Sequence, residues 1–261
     1  MELAHTPTHP RGGSRSSRDA AAAAETATAA GALLLAHRGG LSAGVDPAAI
    51  RELGDRLSHE FLVETLSRRF PDDAVLSEEG ADDRDRLAAH RVWIVDPLDG
   101  TREFGEPGRT DWAVHVALVE NGVLTAGAVA MPALGVTYSS ADPVAAYPPL
   151  PAAPRVVVSR TRRPAPVLAM AAALGAPLIE MGSAGAKAMA VVRGEAEIYA
   201  HAGGQYEWDS AAPVAVARAA GLHVSRLDGS EPHYNQENPW LPDLLICRPE
   251  LAGAVLEELR R

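Results

Sequence analysis

Two carboxylates three residues apart, Asp96 and Asp99, stand at the end of the apolar run Trp93-Ile94-Val95. Pro97 follows Asp96 at once; it lacks an N–H and pushes the residue before it into an extended conformation. Asp99-Gly100 then marks a tight turn. A buried strand ending in two acids needs a compensating charge, because an isolated buried carboxylate is very costly. A divalent cation is the usual compensation, and all-oxygen ligands select a hard ion, Mg²⁺ before Zn²⁺. The competing reading is a strand followed by an ordinary acidic surface turn. Two other stretches shift the balance. Val75-Leu76-Ser77-Glu78-Glu79-Gly80 is another short apolar run ending in acids, and Tyr206-Glu207-Trp208-Asp209 places an acid at the opening of an Ala-rich, helix-like run. Three such edges, remote in sequence, can converge on one metal cluster.

The elements that must carry these acids follow from the pattern. Asp19 reads as the N-cap of a helix over 20–37, stopped by Gly39-Gly40. Asp46-Pro47 opens a second helix through Ile50, Leu53, Leu57, Phe61, Leu62 and Leu66, with Asp55 inside it. Residues 72–78 form a strand, 82–86 a solvated charged loop or helix face, and 92–95 the central strand. Trp112 to Val119 alternates, Asn121-Gly122 is a strong hairpin turn, and Val123 to Met131 pairs back. Beyond a Pro/Ala-rich stretch the pattern alternates strand and helix: strands over 155–159, 177–181, 197–200, 222–224 and 244–247, helices over 164–174, 182–192, 209–220 and 249–260. Residues 201–205, with two glycines, read as a loop. This divides the chain into a disordered tail over 1–18, an α+β half over 19–140, a hinge over 141–154 and an α/β half over 155–261. His5 and His9 belong to the tail.

Glu78-Glu79, Asp96-Pro97-Leu98-Asp99-Gly100-Thr101 and Trp208-Asp209, in this order, resemble the signature set of the lithium-sensitive, Mg²⁺-dependent phosphatases. That superfamily includes inositol monophosphatase, fructose-1,6-bisphosphatase and the 3′(2′),5′-bisphosphate nucleotidases. Arg102-Glu103-Phe104 and Glu207 look most like the CysQ-type nucleotidases. The resemblance implies a layered αβαβα sandwich and hydrolysis of 3′-phosphoadenosine 5′-phosphate, or of its 5′-phosphosulfate, in sulfate assimilation. It also implies two or three Mg²⁺ per site and inhibition by Li⁺. Glu78, Asp96 and the Leu98 carbonyl would hold the first ion, with Asp96 bridging to a second completed by Asp99 and Asp209. Thr101 would contact the attacking water, oriented by Asp55. From the residues themselves, the N–H groups of Gly100 and Thr101 at a helix N-terminus can bind phosphate, and Arg102 reads either as a surface arginine or as a cation suited to a second phosphate.

Glu79 alternates away from Glu78 along the strand, so it reads as a supporting acid. Ser183 and Lys187 open a helix without P-loop spacing. They read either as a capped helix with a surface lysine or as an anion site for the nucleotide's ribose or phosphates. The segment His201-Ala202-Gly203-Gly204-Gln205 carries no acid, unlike inositol phosphatases, and its glycine pair would admit a bulky base. An inositol monophosphatase, a fructose-1,6-bisphosphatase and a silent metal- or nucleotide-binding regulator are the alternatives.

A formal charge of −10 argues against a nucleic-acid-coating surface. No apolar run reaches the ~20 residues of a membrane helix, and the N-terminus lacks the apolar core of a secretory signal. The single cysteine, Cys247, falls in an apolar strand and fits a reducing cytoplasm. Nothing in the chain fixes oligomeric state, so a homodimer stays open.

Overall fold

The computed structural model describes residues 15–40, 44–142 and 146–261. Two five-stranded sheets are interleaved with three helical layers. The first sheet runs β1 (Ala74–Ser77), β2 (Arg91–Asp99), β3 (Ala113–Glu120), β4 (Val123–Met131) and β5 (Val136–Ser139) in spatial order, with β1 parallel to β2 and the rest antiparallel. Its outer face is covered by α1 (Arg15–Arg38) and α2 (Pro47–Arg69). The second sheet orders β7 (Leu178–Met181), β6 (Val156–Ser159), β8 (Ile198–Tyr206), β10 (Trp240–Cys247) and β9 (His223–Ser225). Between the sheets lie α5 (Ala184–Val192) and α6 (Glu207–Ala219), and outside the second sheet lie α4 (Ala165–Ala173) and α7 (Ala252–Leu259). This is the expected αβαβα stack.

Local chemistry explains the layers. Every residue of β2 is buried, as a central strand covered on both faces requires. The buried side of α1 is mostly alanine, with Ala20, Ala23, Ala27 and Ala30 sealed. Small side chains let this helix lie close against β3 and β4, while Leu34, Leu62 and Leu66 fill the space beside Trp93. Truncating Leu62 to alanine would cost about 2–5 kcal/mol, since nothing mobile is there to collapse into the gap. Asp46 caps α2 by accepting from the Ala48 N–H, as its sequence position indicates. Asn121-Gly122 makes the expected hairpin turn, both residues at positive φ. Cys247 is buried in β10, and burial pushes its thiol up to about 12, so it packs rather than reacts.

Three expectations need correction, and one strand was missed. Asp19 is not an N-cap: α1 begins at Arg15, and Asp19 is buried within it, paired with Arg91. The helix therefore takes in residues 15–18; the remainder of the expected tail, with His5 and His9, lies outside the described residues. The charged run 82–86 is not simply solvated. Arg86 is 1% exposed, bonded to Asp82, to the Asn235 side chain and to the Gln236 carbonyl. β5 went unforeseen. Residues 201–205 are not a loop but the second half of β8, which carries one residue more than β10 across from it. Gly203 and Gly204, both at positive φ, absorb that bulge. Tyr234 is a core residue whose hydroxyl meets Ser210 at 3.3 Å. Of the expected hinge, residues 143–145 lie outside the described residues and 146–154 carry no helix or strand.

Candidate active site

β2 delivers Asp96 and Asp99 to the end of the first sheet, and the first turn of α6 delivers Asp209. One carboxylate oxygen from each lies within 4.8 Å of the other two. Asp96 is 1% exposed. Glu78, just past β1, sits at the rim with its carboxyl beside Asp96. Asp96 is turned back on its own strand, accepting from the Leu98 N–H at 3.0 Å, which Pro97 between them makes possible. Asp209 accepts from the Tyr206 N–H at 2.7 Å and so fixes the entry of α6. Pro213 lies inside that helix and removes the N–H that the Asp209 carbonyl would accept.

Three of the four crowded acids resist ionisation. Burial, then Glu78 and Asp99 nearby, holds the Asp96 carboxyl well above the usual range. Glu78 is pushed up to about 7 by burial and by Asp209, and Asp209 to about 6 by burial and by Asp99. Asp99 behaves in the opposite way. Burial works against its charge, but His115 and the Ser183 hydroxyl override it and hold the carboxyl down at about 2. It accepts from Ser183 Oγ, from Ala184 N at 3.1 Å and from Gly185 N at 2.6 Å, which ties the end of β2 to the start of α5.

His115 is the residue that pattern reading missed. It is fully buried in β3, directly opposite Asp96 in the β2–β3 register. Its Nδ1 donates to the Trp208 carbonyl at 3.0 Å, which leaves Nε2 3.2 Å from Asp99 Oδ2 but out of line for a hydrogen bond. Burial disfavours the imidazolium; Asp99 alongside overrides this and raises the His115 pKa. The signal was present in sequence: one ionisable residue inside Ala113-Val114-His115-Val116-Ala117, where each neighbour is apolar.

Gly100, at φ +86°, turns the chain out of β2 into α3 (Thr101–Phe104), a single turn. A side chain there would press on Ser183 and on the Asp111 carbonyl. Thr101 Oγ1 donates to the Leu98 carbonyl at 3.0 Å, with Asp55 Oδ1 at the limit of reach, 3.5 Å. Asp55 on α2 and Thr101 on α3 are thus brought side by side. Asp55 is pushed up to about 7 by burial and by the negative charge of nearby Glu79.

Above the carboxylates opens a cleft of about 540 Å³, within the range of small-molecule sites. Glu78, Asp99, Gly100, Thr101, Arg102, Ser183, Lys187 and Asp209 all line it. Arg102 is exposed there. Ser183 and Lys187 are engaged with the protein itself. Ser183 caps α5 and donates to Asp99, while Lys187 Nζ donates to the Gly182 carbonyl and, at 2.7 Å, to the Ser183 carbonyl. Burial lowers the Lys187 pKa to about 8 against the pull of Asp99. Glu207 is also structural: fully buried, it accepts from the Asn235 and Gln236 N–H groups at 2.6 and 2.8 Å. His201 folds back on the bulge, its Nε2 2.9 Å from the Gly204 carbonyl.

The donor set fits a hard divalent cation. It is all oxygen, three carboxylates reach a common point, and His115 is the one basic side chain in contact with them among the described residues. Among the described residues no helix is long and apolar enough to cross a membrane.

The chain is 50% identical over 255 residues to the 3′-phosphoadenosine 5′-phosphate phosphatase of Mycobacterium leprae, covering 93% of each chain. It is 32% identical over 203 residues to the 3′(2′),5′-bisphosphate nucleotidase CysQ of Escherichia coli K12, covering 72% of this chain and 80% of the other. Among solved structures it superposes on CysQ from Bacteroides thetaiotaomicron with a TM-score of 0.71 and 28% identity, over 89% of this chain and 97% of that one. The inositol monophosphatase family pattern matches residues 16–147 and 151–261, and with the carboxylates gathered as described the chain belongs to that metal-dependent family.

Proposed function

We propose that this chain is a Mg²⁺-dependent phosphatase that removes the 3′-phosphate of 3′-phosphoadenosine 5′-phosphate to leave AMP. One observation carries the reading. Asp96, Asp99 and Asp209 converge under a nucleotide-sized cleft in a chain half identical to a phosphatase named for that substrate. Asp96, Asp99, Asp209, Glu78 and the Leu98 carbonyl would hold the cations. When bound, these supply charge against the phosphoryl oxygens and make water a better nucleophile at neutral pH.

The chain's own residues do the rest. Thr101 Oγ1 has one proton, donated to the Leu98 carbonyl at 3.0 Å; turned to Asp55 Oδ1, 3.5 Å away, it would leave a lone pair to accept the proton of the attacking water while its own passes to Asp55, whose carboxyl titrates near neutrality. Gly100 gives the cleft floor its turn, and Arg102 at its edge suits a second phosphate. Ser183 and Lys187 hold the α5 turn that clamps Asp99, so they position an acid rather than grip the nucleotide.

The test is phosphate release from 3′-phosphoadenosine 5′-phosphate, its 5′-phosphosulfate, inositol 1-phosphate and fructose 1,6-bisphosphate, with and without Mg²⁺. The expected result is Mg²⁺-dependent turnover fastest on the first, suppressed by Li⁺ competing for a cation position. Equal or better turnover of inositol 1-phosphate would remove the nucleotide assignment, and full activity after chelation would remove the metal.

A further inference from the structure

One wall of the cleft carries polar groups that nothing among the described residues satisfies. Gln205 is 6% exposed and lines the cleft, yet neither its Nε2 nor its Oε1 has a hydrogen-bond partner among the described residues. A buried carboxamide unpaired at both ends is costly, and native chains rarely keep one without use. The Tyr199 hydroxyl, on the same strand and lining the same cleft, is likewise unpartnered. Beside them Trp240 is 47% exposed although it is a large aromatic, and it too lines the cleft. The β8 bulge makes room for it. Gly204 is at φ +89°, and a Cβ there would stand 2.7 Å from Trp240 Nε1, so the indole lies flat on bare backbone.

We propose that Gln205 and Trp240 form the base-reading end of the cleft and select adenine. A carboxamide presents a donor and an acceptor side by side, the complement of the adenine edge formed by the N6 amino group and N7, an edge that in hypoxanthine carries two acceptors. An exposed indole offers a stacking face for any base, so it supplies grip while Gln205 supplies discrimination. A polyol phosphate has neither a planar face nor that edge. The inference rests on the nucleotide reading above and adds the residues that read the base. Both belong to the β8–β10 pair, whose register places Leu241, next to Trp240, opposite Gln205.

The experiment compares kcat/KM for three esters: 3′-phosphoadenosine 5′-phosphate, the same compound with hypoxanthine for adenine, and glycerol 2-phosphate as a base-free monoester. The wild type should prefer adenine over hypoxanthine by about tenfold or more, because the amino donor becomes a carbonyl acceptor. Gln205→Leu should bring that ratio close to one. Trp240→Ala should lower the preference for either nucleotide over glycerol 2-phosphate by about tenfold through KM, and Trp240→Phe should restore most of it. If Gln205→Leu does not fold, the wild-type base ratio and the two variants at exposed Trp240 still decide. Wild-type indifference to the base, or unchanged ratios in the variants, overturns this proposal alone. No turnover of either nucleotide by the wild type overturns the proposed function with it.

Discussion

At the start of β2, Arg91 lies between Asp19 and Asp73. Its guanidinium meets Asp19 at 3.0 and 3.1 Å and Asp73 at 3.0 Å, and Trp93 Nε1 donates to Asp73 as well. At the far end of the same strand, Asp96 and Asp99 face Asp209 and Glu78, with His115 in contact and Lys187 behind as the basic groups near them among the described residues. Both ends bury charge, but at the first each acid is met by the Arg91 guanidinium or the Trp93 N–H, whereas the second gathers four carboxyls with few such donors between them. The first arrangement holds α1 and the β1 edge onto the sheet. The second is the kind of environment that a cation completes: burial and mutual repulsion hold the Glu78, Asp96 and Asp209 carboxyls up, while Asp99 is held down by its donors. A buried salt bridge is weak support for a fold but strongly destabilising to break; a buried excess of acid weakens the fold outright and is retained for what it binds.

The comparison can be broken most decisively at Asp96. Asp96→Asn should lower kcat/KM by at least about a thousandfold, while cation-free thermal unfolding occurs no lower than in the wild type, because one unneutralised acid is gone. An active variant, or one that melts early, would mean that the two ends of β2 are not opposites. At the other end, Arg91→Met should cost about 3 kcal/mol in chemical denaturation. That is the lower part of the range for a broken buried pair, since Asp73 keeps its bond from Trp93. Its specific activity per folded molecule should remain close to wild type.

Smaller effects sharpen the contrast. Glu78 and Asp209 titrate at about 7 and about 6 in the folded chain, above the value of about 4 that carboxyls have when unfolded. The folded state therefore holds more protons, and stability of the metal-free protein falls as pH rises from about 4 to about 7. Scanning calorimetry between about pH 5 and about pH 8 should show a loss of roughly 1 kcal/mol after solvent screening, reversed by Mg²⁺. A loss that Mg²⁺ leaves untouched would place the titrating groups elsewhere. Asp55→Asn should reduce kcat by about tenfold, less than a full general base contributes, because the Leu98 carbonyl still holds Thr101. Its pH–rate profile should lose the limb near neutrality.

Much of this was legible from residues. Asp96-Pro97-Leu98-Asp99-Gly100 announced itself because proline and glycine fix the backbone around the acids. Asp55 and Thr101, 46 residues apart, were paired by resemblance and meet in the structure. What sequence could not give were partners made by tertiary contact. Nothing local marks Asp19 as the mate of Arg91, and a carboxylate ahead of an alanine run reads as a cap. Arg86 sits among acids that suggest solvent, yet its partners lie about 150 residues onward at Asn235 and Gln236. Glycines at 203 and 204 suggest a loop until β10 is laid beside them. Ser183 and Lys187 look like an anion site until Asp99 arrives to claim their region.

Asp99 has two oxygens and room for about four hydrogen bonds. Three donors from the head of α5 already occupy it, and His115 crowds the same oxygen that Ser183 and Gly185 use. A cation drawing on those lone pairs must share them with the seam that joins the two sheets. Ion occupancy and the tightness of that seam are therefore one variable, and amide protection at Ala184 and Gly185 becomes a gauge of how full the site is.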